Sequence, residues 1–341
     1  MAVSYVLDEV FERHVPPREH PERPERLRHV RARLASTDLE RDGLRLPIRL
    51  PELDELARAH KPGYLENLER TLPERSGWLE SDTYFCPDTW DAALKAAAAS
   101  IDVALSVLDG RAERGIAVVR PPGHHATDSR AQGFCIVNNV AVAAQAARAG
   151  GAGRVAILDF DVHHGNGTEQ IFYSDPDVLF MSVHQFPFYP GTGAATARGE
   201  GAGLGATVNV GLPAGCGDAD YAAVFEQVFT PAIAAFKPDM ILVSAGFDAA
   251  APDRIAQMKV TDLGYRHMAA TLCELADQHA SGKLVAVLEG GYDLEGLAGG
   301  VVAVTEAMLG RPGPGPIEGD AALSDLAIER TLIAHPRLET R

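Results

Sequence analysis

Asp159, Asp161, His163 and His164 fall within six residues, at the end of the apolar run in VAILDFDVHHGNGT (155–168). Side chains alternate faces along a strand, so Asp159, Asp161 and His163 share a side if extended geometry persists. Charge at the end of an apolar strand is costly unless it is paired or metal-bound. A second apolar run ends in SAGFD, at Asp248. Asp161, His163 and Asp248 would make three ligands with one open position, the pattern of a catalytic zinc. Two carboxylates and an imidazole form a harder set than sulfur-rich structural sites, so Fe(II), Co(II) and Mn(II) also suit it. A helix cap is the plainer account of any one of these acids, but a poor account of the set.

Two further segments suit the same chemistry. RPPGHHATDSRAQGFC (120–135) places His124 and His125 after two prolines and a glycine, which make a rigid turn. Adjacent histidines are poor joint ligands for one metal. They suit proton transfer, because imidazole titrates near neutral pH. LEGGYD (288–293) places Tyr292 after Gly290 and Gly291. Small residues let the backbone approach a ligand closely, and a tyrosine hydroxyl there would donate to a developing oxyanion. Considered alone, solvated turn histidines and a core tyrosine would explain both segments.

Such residues need a scaffold that brings distant segments to one edge. Six apolar runs rich in β-branched residues supply it: 115–123, 154–161, 178–185, 206–213, 239–248 and 283–292. Continuous apolar runs of this length fit strands covered on both faces. Between them lie helical patterns at 88–108, 139–149, 218–236, 262–279 and 297–309. The alternation predicts an α/β chain with a central parallel sheet and helices on both faces. Almost every run ends in His, Asp or Gly-Gly-Tyr, and open α/β sheets bind ligands at the carboxyl ends of their strands. No linker divides the 341 residues, so one domain is expected over 1–341. Its core spans about 20–310, and the Pro/Gly-rich stretch 310–320 leads into a C-terminal tail.

Composition narrows the function. A formal net charge of −16 disfavours nonspecific nucleic-acid binding, which needs clustered cations. No run is long enough to span a bilayer and no signal-peptide core opens the chain, so no membrane association is expected. Cys86, Cys135, Cys216 and Cys273 are scattered and form no CxxC pair, consistent with a reducing cytoplasm.

PPGHHA, GFCIVNN, DFDVHHGNGT, SAGFD and LEGGYD, in this order, resemble the zinc-dependent histone deacetylase family, with its bacterial histone deacetylase-like amidohydrolases and acetylpolyamine amidohydrolases. The resemblance runs from HPERPERL (20–27) to about residue 310, and implies a single-domain arginase/deacetylase-like fold. HPERPERL and Asn166, where class I members typically carry Asp, place it nearer the class II branch. The resemblance implies that Asp161, His163 and Asp248 hold zinc. It makes His125 the general base and His124 its electrostatic or proton-donating neighbour. Asp159 and Asn166 would orient that pair, and Tyr292 would stabilise the oxyanion. Phe134, after Gly133, and Tyr189 would wall an acyl-lysine tunnel, and Thr83 lies near a position that contacts the substrate N–H in some relatives. A structural potassium ion is implied at Asp159, Ser182 and Val183, with the backbone of Asp161 and His163. His164 has no direct role in the family.

The implied reaction hydrolyses an amide to a carboxylate and a free amine. The substrate is an acyl-lysine peptide or protein, or alternatively an acetylpolyamine or other small amide. Ile255 stands at what looks like the gatekeeper position, beside Arg254, and an apolar residue next to a cation selects polyamines poorly. A catalytically silent metal-binding scaffold is a third reading, disfavoured by the presence of Tyr292 and both histidines. A homo-oligomer is left open.

Overall fold

The computed structural model describes residues 2–313 and 315–338. Among these residues ten strands form: β1 (Val3–Leu7), β2 (Leu44–Arg45), β3 (Gly77–Trp78), β4 (Tyr84–Phe85), β5 (Arg114–Val118), β6 (Val155–Asp159), β7 (Val178–Gln185), β8 (Thr207–Leu212), β9 (Met240–Ala245) and β10 (Leu284–Leu288). Eight of them make one parallel sheet in the order β2-β1-β5-β10-β9-β6-β7-β8. β3 and β4 pair antiparallel outside it. All six expected runs are strands of this sheet, and their central segments are buried on both faces.

The strand order sets the position of the site. β5, β10, β9 and β6 are consecutive neighbours, although β6 to β8 lie between β5 and β9 in sequence. The loops after these four strands therefore open at adjacent places on one sheet edge. Asp159 is level with Ser244, and Ser244 with Val287, so the residues just beyond them converge.

Two packed groups of helices flank the sheet. One contains Thr89–Leu108 and Asn139–Ala149, the other Glu25–Leu34, Asp262–His279 and Leu294–Met308. The first pair is rich in buried alanine, which favours helix and lets the two axes approach closely. Asn138 starts the second of these helices, its side chain accepting from the Ala141 N–H. Among the described residues, no helix is long and apolar enough to cross a membrane.

Three segments depart from the expected pattern. The helix expected over 218–236 is interrupted by a π turn at Phe225–Phe229, just before Pro231. Proline has no N–H and crowds the carbonyl one turn back, so the ladder widens there. The helix expected at 297 begins at Leu294, because the Asp293 side chain accepts from the Gly296 N–H. The expected tail forms the helix Asp325–Ala334, whose Thr331 hydroxyl donates to the Asn209 carbonyl on edge strand β8. β1 and Glu25–Leu34 were also absent from the sequence pattern, yet Val3 and Leu27 are fully buried.

Beneath the sheet edge lies a buried charge cluster. Both Glu22 oxygens accept from Arg120, which also donates to the Phe11 carbonyl at 2.9 Å. Arg26 Nη1 donates to Glu22 at 3.1 Å and the Tyr84 hydroxyl at 2.7 Å. Burial alone would raise the Glu22 carboxyl pKa, but Arg120, His14 and Arg26 more than offset it, leaving the group well below the carboxylate range. A depressed folded pKa adds stability above the unfolded value near 4.3, lost as pH falls toward the folded value. Glu22→Ala would strand two buried guanidiniums. It is expected to cost roughly 3–5 kcal/mol in urea denaturation and to remove part of the wild-type loss of stability below about pH 4. A cost under about 1 kcal/mol would contradict this account of the cluster.

Candidate active site

β6 ends at Asp159, the loop after it carries Asp161 and His163, and the loop after β9 carries Asp248. Asp161 Oδ1 accepts from the His163 N–H at 2.9 Å, and Oδ2 from the Gly290 N–H at 2.8 Å. Asp248 Oδ1 accepts from the Val162 N–H at 2.9 Å. His163 Nδ1 stands 3.1 Å from both Asp161 Oδ1 and Asp248 Oδ2. One potential ligand atom from each of Asp161, His163 and Asp248 lies within 4.8 Å of the others. Close approach explains Gly290: a Cβ there would come within 2.4 Å of Asp248 Oδ2 and 2.5 Å of Asp161 Oδ2. Burial alone would lower the His163 pKa, but Asp248 and Asp161 raise it to about 10. Burial and Asp161 push Asp248 up to about 6.

The histidine pair lies beside this cluster, with ring centroids 4.0 Å apart. His124 Nδ1 bonds Asp159 Oδ2 at 2.9 Å, and His125 Nδ1 bonds Asn166 Oδ1 at 2.8 Å. A carboxylate behind one ring and an amide behind the other make the two groups unlike. Burial opposes charge on His124, yet Asp159 and Asp161 raise its pKa to about 10. Burial, then the charges on His124 and His163, lower His125 well below the ordinary imidazole value.

Aromatic rings enclose the approach. Tyr189 meets His125 edge-on at 5.2 Å, Phe188 stacks on His163 at 5.4 Å, and Phe134 meets Tyr292 edge-on at 5.6 Å. Phe134 takes a left-handed φ of 68°. Gly133 before it is also left-handed, and a Cβ there would strike the His125 ring at 2.3 Å. Burial holds the Tyr292 hydroxyl protonated, well above its ordinary value. Arg26 sits over the Tyr292 ring at 4.9 Å and donates to the carbonyls of Glu289 and Gly291, both at 2.6 Å. Gly291 itself is left-handed, at φ 115°.

Asp159 and Ser182 are cross-strand neighbours, with Val183 next along β7. Ser182 Oγ bonds His184 Nδ1 at 2.9 Å. Ile255 borders a cleft of about 330 Å³ with Arg254, Pro21 and Tyr292. Thr83 lies against Phe134. It is fully buried, its hydroxyl accepting from the Phe134 N–H at 3.0 Å and donating to Asp82 at 2.9 Å. It props Phe134. His164 faces away, bonded to Thr192 and Glu169.

Four more side chains tie the site together, and their roles have no mark in the sequence. Glu289 accepts from the N–H groups of Gly123 at 2.6 Å and His124 at 3.1 Å, and from the Ser244 hydroxyl at 3.2 Å. Asp253 accepts from the N–H groups of Tyr292 at 2.6 Å, Asp293 at 2.9 Å and Ile255 at 3.0 Å. Asn138 and Asn139 donate to the Ala126 and Pro121 carbonyls, fixing both ends of the histidine turn. The Asn pair stood in GFCIVNN and Glu289 in LEGGYD, but with no spacing that marked their partners.

A family model, the histone deacetylase domain, matches residues 20–308. Histone deacetylase 15 of Arabidopsis thaliana is 42% identical over 85% of this chain and 53% of its own length. A probable deacetylase of Archaeoglobus fulgidus is 40% identical over 87% of this chain and 83% of its own. The polyamine deacetylase HDAC10 of Homo sapiens is 41% identical over 90% of this chain and 46% of its own. The chain thus spans about half the length of the plant and human relatives. A crystal structure of the HDA15 HD domain superposes with a TM-score of 0.91 at 36% identity, covering 99% of this chain and 98% of that one. With these motifs arranged on that fold, the chain belongs to the histone deacetylase family.

Proposed function

We propose that the chain is a zinc-dependent deacetylase that hydrolyses acyl-lysine amides of peptides or proteins to a carboxylate and a free amine. The convergence of Asp161, His163 and Asp248 beside the unlike histidine pair carries this reading. The donor set fits a divalent ion: two buried carboxylates aim at one imidazole nitrogen, and the space between them is kept clear by Gly290. Zinc is the family norm, and Fe(II) or Co(II) suits the same ligands. Such an ion would supply Lewis acidity toward the amide carbonyl and toward the attacking water.

The chain's own groups divide the rest of the work. With Asn166 Oδ1 facing Nδ1, the His125 proton sits on Nδ1 and Nε2 is free to take a proton from water. His124, held cationic by Asp159, passes a proton to the departing amine nitrogen. Tyr292 keeps its hydroxyl proton and donates it as a hydrogen bond to the oxyanion. Phe134, Phe188 and Tyr189 exclude water around an aliphatic acyl-lysine stem.

The same reading includes a structural potassium ion at Asp159, Ser182 and Val183, with the backbone of Asp161 and His163. His184 Nε2 faces the Gly193 carbonyl at 3.0 Å, so its proton sits there and Nδ1 accepts from the Ser182 hydroxyl. That leaves the Ser182 lone pairs available to a cation. The four free, buried cysteines support a cytoplasmic setting, and the charge of −16 argues against direct nucleic-acid binding. Acetylpolyamines are the second reading, favoured by the likeness to HDAC10. Arg254 beside Ile255 at the cleft weighs against a polycation. Comparing kcat/KM on acetyl-lysine peptides and acetylpolyamines separates them, and preference for the polyamines would overturn the first.

Purified wild type should carry one zinc per chain, and Asp161→Ala or Asp248→Ala should lose it, as read by metal analysis. Full occupancy with full turnover in either variant would contradict the ligand assignment. Tyr292→Phe should retain zinc and lose roughly 10²–10³-fold in kcat with a smaller change in KM. Wild-type turnover would make that tyrosine structural. Asp253→Ala frees the Tyr292 backbone, so kcat should fall by up to about 10²-fold at full zinc occupancy.

A further inference from the structure

The helix Asp325–Ala334 is fixed by its inner face. Ala327 and Ile328 enter the core, and the Thr331 hydroxyl donates to the Asn209 carbonyl at 2.8 Å. Its outer face is apolar along its centre: Leu326 is 55% and Ile333 67% exposed. At about 100° per residue these two, seven apart, lie on one line along the helix. Glu329 and Arg330 flank that line on opposite sides, both exposed. Leu323 before the helix and Leu204 beside its end are 50% and 60% exposed. Leu204 and Ala334 border the same cavity of about 360 Å³, so the apolar surface continues past the helix end.

We propose that this face is a homodimer interface, in which the helices of two copies of this chain pack side by side and parallel about a two-fold axis along their length. The charge pattern selects the occupant and the direction. A parallel two-fold sets Leu326 against its own copy and Ile333 against its own copy. It also places Glu329 of each chain beside Arg330 of the other, on both flanks. An antiparallel pairing would instead set Glu329 against Glu329 and Arg330 against Arg330. The face is thus complementary to itself in one orientation, as an isologous contact requires.

Two forces compete. Each copy carries a net charge of −16, which opposes association. At physiological salt that repulsion is screened beyond about 8 Å, whereas the apolar line and its flanking pairs act at contact. A ten-residue helix offers less than the roughly 800 Å² per partner of a stable complex. The dimer is therefore weak, forming as concentration rises through the micromolar range.

Sedimentation velocity across that range tests the proposal on the full chain, with circular dichroism as a check of folding. The wild type is expected to shift from monomer to dimer. Leu326→Glu and Ile333→Glu should remain monomeric. Glu329→Arg and Arg330→Glu should each weaken the dimer by about tenfold or more, because each sets like charges together. The double variant Glu329→Arg/Arg330→Glu should restore association to near the wild-type level. A wild type monomeric throughout would overturn the proposal, as would a dimer indifferent to Leu326→Glu. Single charge variants that strengthen the dimer would overturn the parallel arrangement.

Discussion

The site depends on keeping one carboxylate charged out of water. Asp161 is fully buried, and an isolated ion there would cost several kcal/mol or more. It is tolerated because His163 supplies its backbone N–H and Gly290 supplies an N–H from 129 residues away. Those donors exist at that point only because β6, β9 and β10 are adjacent and in register. Asp248, just beyond the end of β9, repeats the arrangement, accepting from the Val162 N–H. The carboxylates therefore join three strand ends together as well as facing a common point. Electrostatic need and sheet topology constrain each other.

The same economy governs the two histidines. They are neighbours in sequence and in space, yet their surroundings drive their protonation apart. Asp159 behind His124 favours the cation, and the resulting charge suppresses a second one on His125. Asn166 behind His125 offers an amide oxygen and no net charge. Two titratable groups pushed apart in this way are what acid and base roles at one pH require. Glu289 holds the backbone of the turn that carries both rings, and Arg26 holds the loop that carries Glu289 and Tyr292. Through Glu22, the same Arg26 reaches Arg120, at the head of the histidine turn. One buried charge network thus supports both loops from below.

What could be read from the sequence follows from range. The β-branched runs and their polar ends are local patterns, so the parallel sheet and the convergence of Asp161, His163 and Asp248 were legible. The pairing of Asp159 with Ser182 across β6 and β7 has no local signature, and only the family resemblance links the two. Glu22, Arg26 and Arg120 were not legible as a unit, because buried charges of opposite sign look like surface residues until the chain folds. Asp253 binds the Tyr292 loop through backbone N–H groups, which carry no residue signature. The hold of the Thr83 hydroxyl on the Phe134 N–H links segments 51 residues apart and has no local signature. β1 leaves little signal because Val3–Leu7 is short and ends in no reactive residue, while the only local mark of the break at Phe225–Phe229 is Pro231.

The most direct test of the account is a metal titration. The protein would be stripped of metal, zinc returned in steps, and acetate release from an acetyl-lysine peptide measured at each step. The account predicts no release from the stripped protein and a linear rise that breaks at one zinc per chain. Undiminished acetate release from fully stripped protein would contradict it, because the buried carboxylates and His163 would then be holding no reactive ion.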